Sequence, residues 1–255
     1  MPPTRRNDLN IAVYAPALVG DDGRPLAIVR AMERASPGLR LEWTISDEGN
    51  LVPLPERDAW LAQRRRDEPG FPLICNGGDE DNLVTLSGME VSASSGPGGQ
   101  PLFDVHADLP LNAASITGAA DTLEAIAEAA LAHWGHATPF KATVEISRQT
   151  VHPSRKPGVP PRGLPALKFP EHLRSPEIPH RLGWMNYWSA AAAQAIEFPD
   201  PARDTDLLAR ARRTATGGWV VWLTEEPLNL DNPSHLEALL KAYERFPQIG
   251  GRAAR

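Results

Sequence analysis

Leu102-Phe103-Asp104-Val105-His106-Ala107-Asp108-Leu109 reads as one β-strand with two unlike faces. Side chains alternate along a strand, so Phe103, Val105, Ala107 and Leu109 share one face and Asp104, His106 and Asp108 share the other. The first set suits a core, the second suits water or a partner. Leu83 to Ala93, joined to this segment by the flexible Ser94-Ser95-Gly96-Pro97-Gly98-Gly99, supplies an antiparallel neighbour.

Working outward, Leu9–Tyr14, Leu39–Ile45, Phe71–Cys75 and Lys141–Thr150 also read as strands, and Trp219–Leu223, apolar on both faces, reads as a central one. Helices are expected over Pro25–Ala35 and Pro55–Arg66. A further helix is expected over Asp121–Trp134, where Leu123, Ile126, Ala127, Ala130, Leu131 and Trp134 form one stripe. There Asp121 and Glu124 fit a capping arrangement, and Gly135 marks the stop. Trp184, Tyr187, Trp188, Ala191, Ala192 and Ala195 form a second stripe, and Asp204–Arg213 a short basic helix. The last helix starts at Asn232-Pro233, with Asn as cap and Pro in the first turn. Strands and helices mix without strict alternation, which predicts an α+β fold with mainly antiparallel sheet and packed helices.

Eight prolines between Pro153 and Pro179 mark the one strong boundary. They divide the chain into an acidic half over residues 1–150, a Pro-rich connection over 151–180 and a second half over 181–255. The two halves are separate or join into one composite domain. Leu164, Leu167, Phe169 and Leu173 give the connection something to dock.

Charge is unevenly spread. From Asp67 to Phe140 the 74 residues carry eleven carboxylates and no Lys or Arg. Residues 1–150 hold 21 acids and 12 bases, and residues 151–255 hold 11 acids and 14 bases. Like charges repel in a folded chain, so a one-signed stretch suggests a positive partner or a solvated acidic face. The acidic balance argues against direct nucleic-acid binding, which needs Lys and Arg at phosphates. No apolar run reaches the roughly 20 residues of a membrane-spanning helix. Met1–Arg6 lacks the apolar stretch of a signal peptide, so cytoplasmic residence is the expectation. The single Cys75 leaves no internal disulfide.

Asp104, His106 and Asp108 are the most chemical constellation: two carboxylates flanking an imidazole suit a divalent metal, a solvated strand face or a partner contact. His133 and His136 fit metal coordination or the preference of helix C-termini for imidazole. No nucleophile elbow, phosphate-binding loop or dinucleotide fingerprint occurs. No catalytic residue, cofactor or metal site is therefore assigned. Asp121, Glu124 and Glu128 share one helical face opposite the apolar stripe, and Asp79-Glu80-Asp81 cluster on a glycine-flanked loop.

The stretch Leu182-Gly183-Trp184-Met185-Asn186-Tyr187-Trp188-Ser189 resembles a signature of the Immunity protein 52 family of bacterial polymorphic toxin systems. Gly217–Leu223 and Ala242–Arg252 resemble uncharacterised myxobacterial proteins connected with the same group. The resemblance covers residues 140–255 and implies a cytoplasmic antidote, an immunity protein that binds and neutralises a cognate secreted toxin, typically a nuclease with a basic substrate surface. It implies no catalytic residue. The candidate toxin-binding residues are Asp79, Glu80, Asp81, Asp104, Asp108, Glu124 and Glu128. The alternatives are a metal-dependent enzyme using Asp104, His106 and Asp108, and a structural subunit of a larger assembly.

Overall fold

Leu9, Ile11, Val13 and Ala15 are buried on one side of the first strand, while Asn10 and Tyr14 on the other side are only half-buried. The same alternation recurs along Thr85–Val91 and Leu102–Pro110. The computed structural model describes residues 7–46, 48–62, 70–79, 81–150 and 160–252. In chain order the elements are β1 Asp8–Pro16, α1 Arg24–Ala35, β2 Trp43–Ile45, β3 Leu51–Pro53, α2 Arg57–Ala62, β4 Gly70–Cys75, β5 Thr85–Val91, β6 Leu102–Pro110 and α3 Ala113–Ala130. They continue with β7 Trp134–Pro139, α4 Phe140–Ser147, β8 Met185–Trp188, α5 Ala190–Ala195, α6 Thr205–Leu208, β9 Ala211–Arg213, β10 Trp219–Trp222 and α7 Pro233–Arg245. Among the described residues ten strands form one sheet in the order β3-β2-β4-β5-β6-β1-β7-β8-β10-β9. Every pairing is antiparallel, so the fold is α+β. Strands from both sides of the Pro-rich connection meet at β7 and β8 and hydrogen-bond in the same sheet.

One face of the sheet is covered by α1 and α3. Helix α3 packs on β1, β7 and β8 and α1 packs against α3, and Ile28, Val29 and Met32 of α1 and Leu123, Ile126, Ala127 and Ala130 of α3 join the apolar rows of the strands in one core. The opposite face is treated differently at its two ends. At the β8–β10 end Trp188 packs edge-on against Phe198 and Phe246, and Phe198 against Trp219. Next to it the chain from Leu182 lies on β7. A Cβ on Gly183 would come within 2.2 Å of Thr138 Oγ1, so only glycine allows this approach. Leu164, Leu167 and Leu173 of the connection are buried. The Leu167 amide donates to the Gln149 carbonyl, and Gln149 Oε1 accepts from Tyr243 Oη at 3.0 Å. At the β3–β6 end no α-helix of the described residues lies on this face.

Several elements differ from the sequence reading, each for a local reason. Residues 141–147 are helical rather than extended. The β-branched Thr143, Val144 and Ile146 favour a strand, but Ala142 and Ile146, one helical turn apart, are the buried pair. The stripe at Trp184–Ala195 is not one helix. Met185–Trp188 forms β8, buried on both faces, and Ser189 then caps the short α5 by accepting from the Ala192 amide. Helix α3 starts at the Asn112–Ser115 capping box rather than at Asp121 and ends on Leu131, which takes the left-handed conformation with φ 55°. Gly135 and His136 therefore belong to β7, not to a helix end. The expected basic helix shortens to α6, and Ala211–Arg213 becomes the sheet edge outside β10. The last helix has the expected Asn232 cap, accepting from the Ser234 amide. The carboxyl end of the helix expected to reach Arg66 lies outside the described residues.

Candidate functional site

The register of the sheet decides which acidic residues stand together. Asn10 pairs with Asp108, Ala12 with His106 and Tyr14 with Asp104, while β5 sets Thr85, Ser87 and Met89 opposite the same three residues of β6. Across β4 the row continues through Cys75 to Trp43, and across β2 through Trp43 and Ile45 to Pro53 and Leu51. Asp104, His106, Asp108, Met89, Trp43, Ile45 and Leu51 thus share the face that the helices leave uncovered. Met89 is 56% exposed, Leu51 44% and Ile45 42%, which is unusual for apolar side chains within a sheet.

His106 Nε2 lies 3.0 Å from Asp104 Oδ1, and its side chain is half exposed. The bond to Asp104 raises the pKa of the imidazole, against the opposing effect of desolvation. Asp108 Oδ1 accepts from Asn10 Nδ2 at 2.5 Å. Among the described residues no group of three or more His, Cys, Asp or Glu side chains is arranged to hold a metal ion. Asp104, His106 and Asp108 line one face instead of converging on a point. His136 lies further along the same face beyond β1, buried, with Nδ1 3.2 Å from Thr138 Oγ1. Burial, aided by the charge of Arg181, pushes its pKa down to about 3.

Asp79 and Asp81 are exposed in the connection between β4 and β5. Glu80, between them, lies outside the described residues. The loop is internally braced: Asn76 Oδ1 accepts from the Gly78 and Val84 amides, and Asp79 Oδ1 accepts from the Asn82 amide and from Asn82 Nδ2 at 2.8 Å. Its position at the β4 end places it beside Thr85, hence near Asp108.

Glu124 and Glu128 stand on the other side of the sheet, on α3, and are engaged within the fold. Arg212 of β9 donates to Glu124 at 2.5 Å and lies 2.8 Å from Asp121. Glu128 Oε1 accepts from Tyr187 Oη at 3.0 Å and from Thr216 Oγ1 at 2.6 Å. The basic half thus supplies counter-charge to Asp121 and Glu124 through Arg212, and hydroxyl donors to Glu128. No local pattern marks these pairings, because Arg212 and Glu124, like Thr216 and Glu128, lie 88 residues apart. Asp204, expected only as the start of a basic helix, is fully buried and held by Arg245 at 2.6 Å.

The chain matches a family model described as "Domain of unknown function (DUF5953)" over residues 20–254. It belongs to the DUF5953 family. The DUF5953 match spans both halves and the connection between them. No curated protein matches the DUF5953 chain in sequence. Among solved structures it is similar to Pseudomonas aeruginosa T6SS protein PA0821, with a TM-score of 0.59 at 13% identity over 94% of this chain and 77% of that one. At that identity the likeness shows a shared fold. The Immunity protein 52 resemblance rests on its motif residues alone. In this DUF5953 fold those residues are internal: Leu182, Trp184, Tyr187 and Trp188 are all buried, and Trp184 Nε1 donates to the Thr224 carbonyl at 2.9 Å. Among the described residues no helix is long and apolar enough to cross a membrane.

Proposed function

We propose that this DUF5953 protein is an antidote that binds and neutralises a cognate secreted bacterial toxin, a nuclease with a basic substrate surface, in the cytoplasm and without chemistry of its own. One observation carries the reading. Asp79, Asp81 and Asp108, with the more deeply set Asp104 (13% exposed and bound to His106), lie on or beside the half of one sheet face that the helices leave uncovered, and among the described residues none has a Lys or Arg within ion-pair distance. Two supports are independent of it: the motif resemblance to Immunity protein 52, and the shared fold with a T6SS protein. The interface we favour is therefore Asp79, Asp81, Asp104 and Asp108, with Glu80 included by its place in the sequence. Glu124 and Glu128 stabilise the fold.

Co-expression with the product of the adjacent gene tests the proposal, scored by growth rescue and by co-purification at low and high salt. The expected result is rescue with a salt-sensitive complex. Asp79→Lys with Asp81→Lys slows association and leaves dissociation nearly unchanged, because exposed charges steer encounter more than they hold a formed complex. Absence of both rescue and complex sinks the antidote reading.

A further inference from the structure

The uncovered face runs out, at its β3 end, into a cleft of about 600 Å3 between β2, β3 and the start of α2. Glu42, Trp43, Pro53, Leu54 and Glu56 form its walls, with Arg57 at the side. Arg57 is already committed, to Glu33 at 2.5 Å and to Asp58 at 2.9 Å, and Asp58 also binds Arg30 at 2.7 Å. Glu42 and Glu56 are exposed, and among the described residues neither has a cationic partner. The cleft is therefore acidic, with an aromatic wall. It is also joined to the Asp79–Asp81 loop: a Cβ on Gly77 would lie 2.7 Å from Trp43 Cδ1 and Nε1, so the loop backbone rests on the indole. Exposed Ile45 and Leu51, paired across the β2–β3 hairpin beyond the Trp43–Pro53 pair, extend an apolar strip away from the cleft.

The edge beside the cleft is poorly suited to adding a partner strand. β3 has three residues and ends at Pro53, with Pro55 close behind, and proline offers no amide donor to a ladder. What the cleft fits is a side chain. A guanidinium can stack on an indole while its planar donors face carboxylates, and an ammonium stacks less well.

We propose that the Trp43 cleft receives an arginine side chain of the partner, presented on a loop with a neighbouring apolar residue against Ile45 and Leu51. This rests on the antidote reading and names the anchor of that complex.

The test uses the full chain, 15N-labelled, and three fluorescein-tagged peptides of sequence Gly-Leu-X-Leu-Gly, in which X is arginine, lysine or citrulline. Citrulline keeps the shape of arginine and removes its charge. The chain has seven tryptophans, and the indole resonance of Trp43 is assigned from Trp43→Phe. The expected result is that the arginine peptide moves the Trp43 resonance and binds more tightly than the lysine peptide, while the citrulline peptide leaves the resonance in place. Glu42→Gln with Glu56→Gln weakens arginine-peptide binding about tenfold, the scale of a partly desolvated cation–aromatic contact with its carboxylates. A silent Trp43 resonance, or affinity unchanged in the double variant, overturns the inference. The same double variant in the co-expression assay separates the two readings. Rescue and complex affinity equal to wild type would leave the antidote standing and remove the cleft from it. Failure of the wild-type chain to rescue would remove the antidote itself.

Discussion

His136 sits under the Gly183 backbone, beside Trp134, in a place where a charged ring would lose its water. Its pKa falls to about 3, and that of His180, buried nearby in the same way, to about 4. An unfolded histidine titrates near 6.5. As pH falls through that value the unfolded chain takes up protons that the folded chain refuses. The stability these rings contribute is thus complete above about pH 6.5 and declines toward the folded values. Thermal unfolding should accordingly show a lower Tm at pH 5 than at pH 7, and His136→Gln should reduce that dependence; equal slopes in both proteins would contradict the assignment. His106 has the opposite sign. Its raised pKa gives stability below the unfolded value that is lost as pH rises through the folded one. The other decisive side chain is Asp204, fully buried against Arg245 Nε and Nη2 at 2.6 and 2.9 Å. Arg245→Met should cost about 3–5 kcal/mol in urea unfolding, because it strands a buried carboxylate, and adding Asp204→Leu should return most of it.

At the scale of elements, the caps mark where local sequence governs. Asn112 Oδ1 accepts from the Ser115 amide and Ser115 Oγ accepts from the Asn112 amide, both at 3.0 Å. Asn112→Ala should therefore cost about 1 kcal/mol of stability, whereas Asp121→Ala, well inside α3, should remove no cap. Chemical denaturation of the two variants checks this. The apolar stripe of α3 was legible from Leu123 to Ala130 because helix spacing repeats there without interruption. Its beginning was not, since Ala113–Gly118 is small and unpatterned. The spacing of the Trp184–Trp188 aromatics suits a helix stripe, yet Tyr187 faces α3 and Trp188 faces the Phe198–Phe246 cluster. A strand buried on both faces has no alternation to betray it, and spacing cannot separate it from a helix.

For the whole molecule, the imbalance of charge resolves in two ways. On the helix side Asp121 and Glu124 are neutralised by Arg212 of the basic half, while among the described residues Asp79, Asp81, Asp104 and Asp108 have no Lys or Arg within ion-pair distance. Glu124→Gln should lower stability by about 0.2–1 kcal/mol, the usual range for a partly exposed pair, and leave association with the proposed basic partner unchanged. Asp79→Lys with Asp81→Lys should do the reverse, and stopped-flow association beside urea unfolding distinguishes them. The α+β class, the half-buried β6 strand, the acidic stretch without bases and the docking leucines of the Pro-rich connection were all determined by the sequence, because alternation, composition and backbone chemistry are local properties. Only the tertiary structure decided that Asp104 and Asp108 share a face with Trp43 while Glu124 and Glu128 do not. Sheet order, and pairings between residues 88 positions apart, are set by packing free energy summed over the whole core. No window of sequence contains that sum.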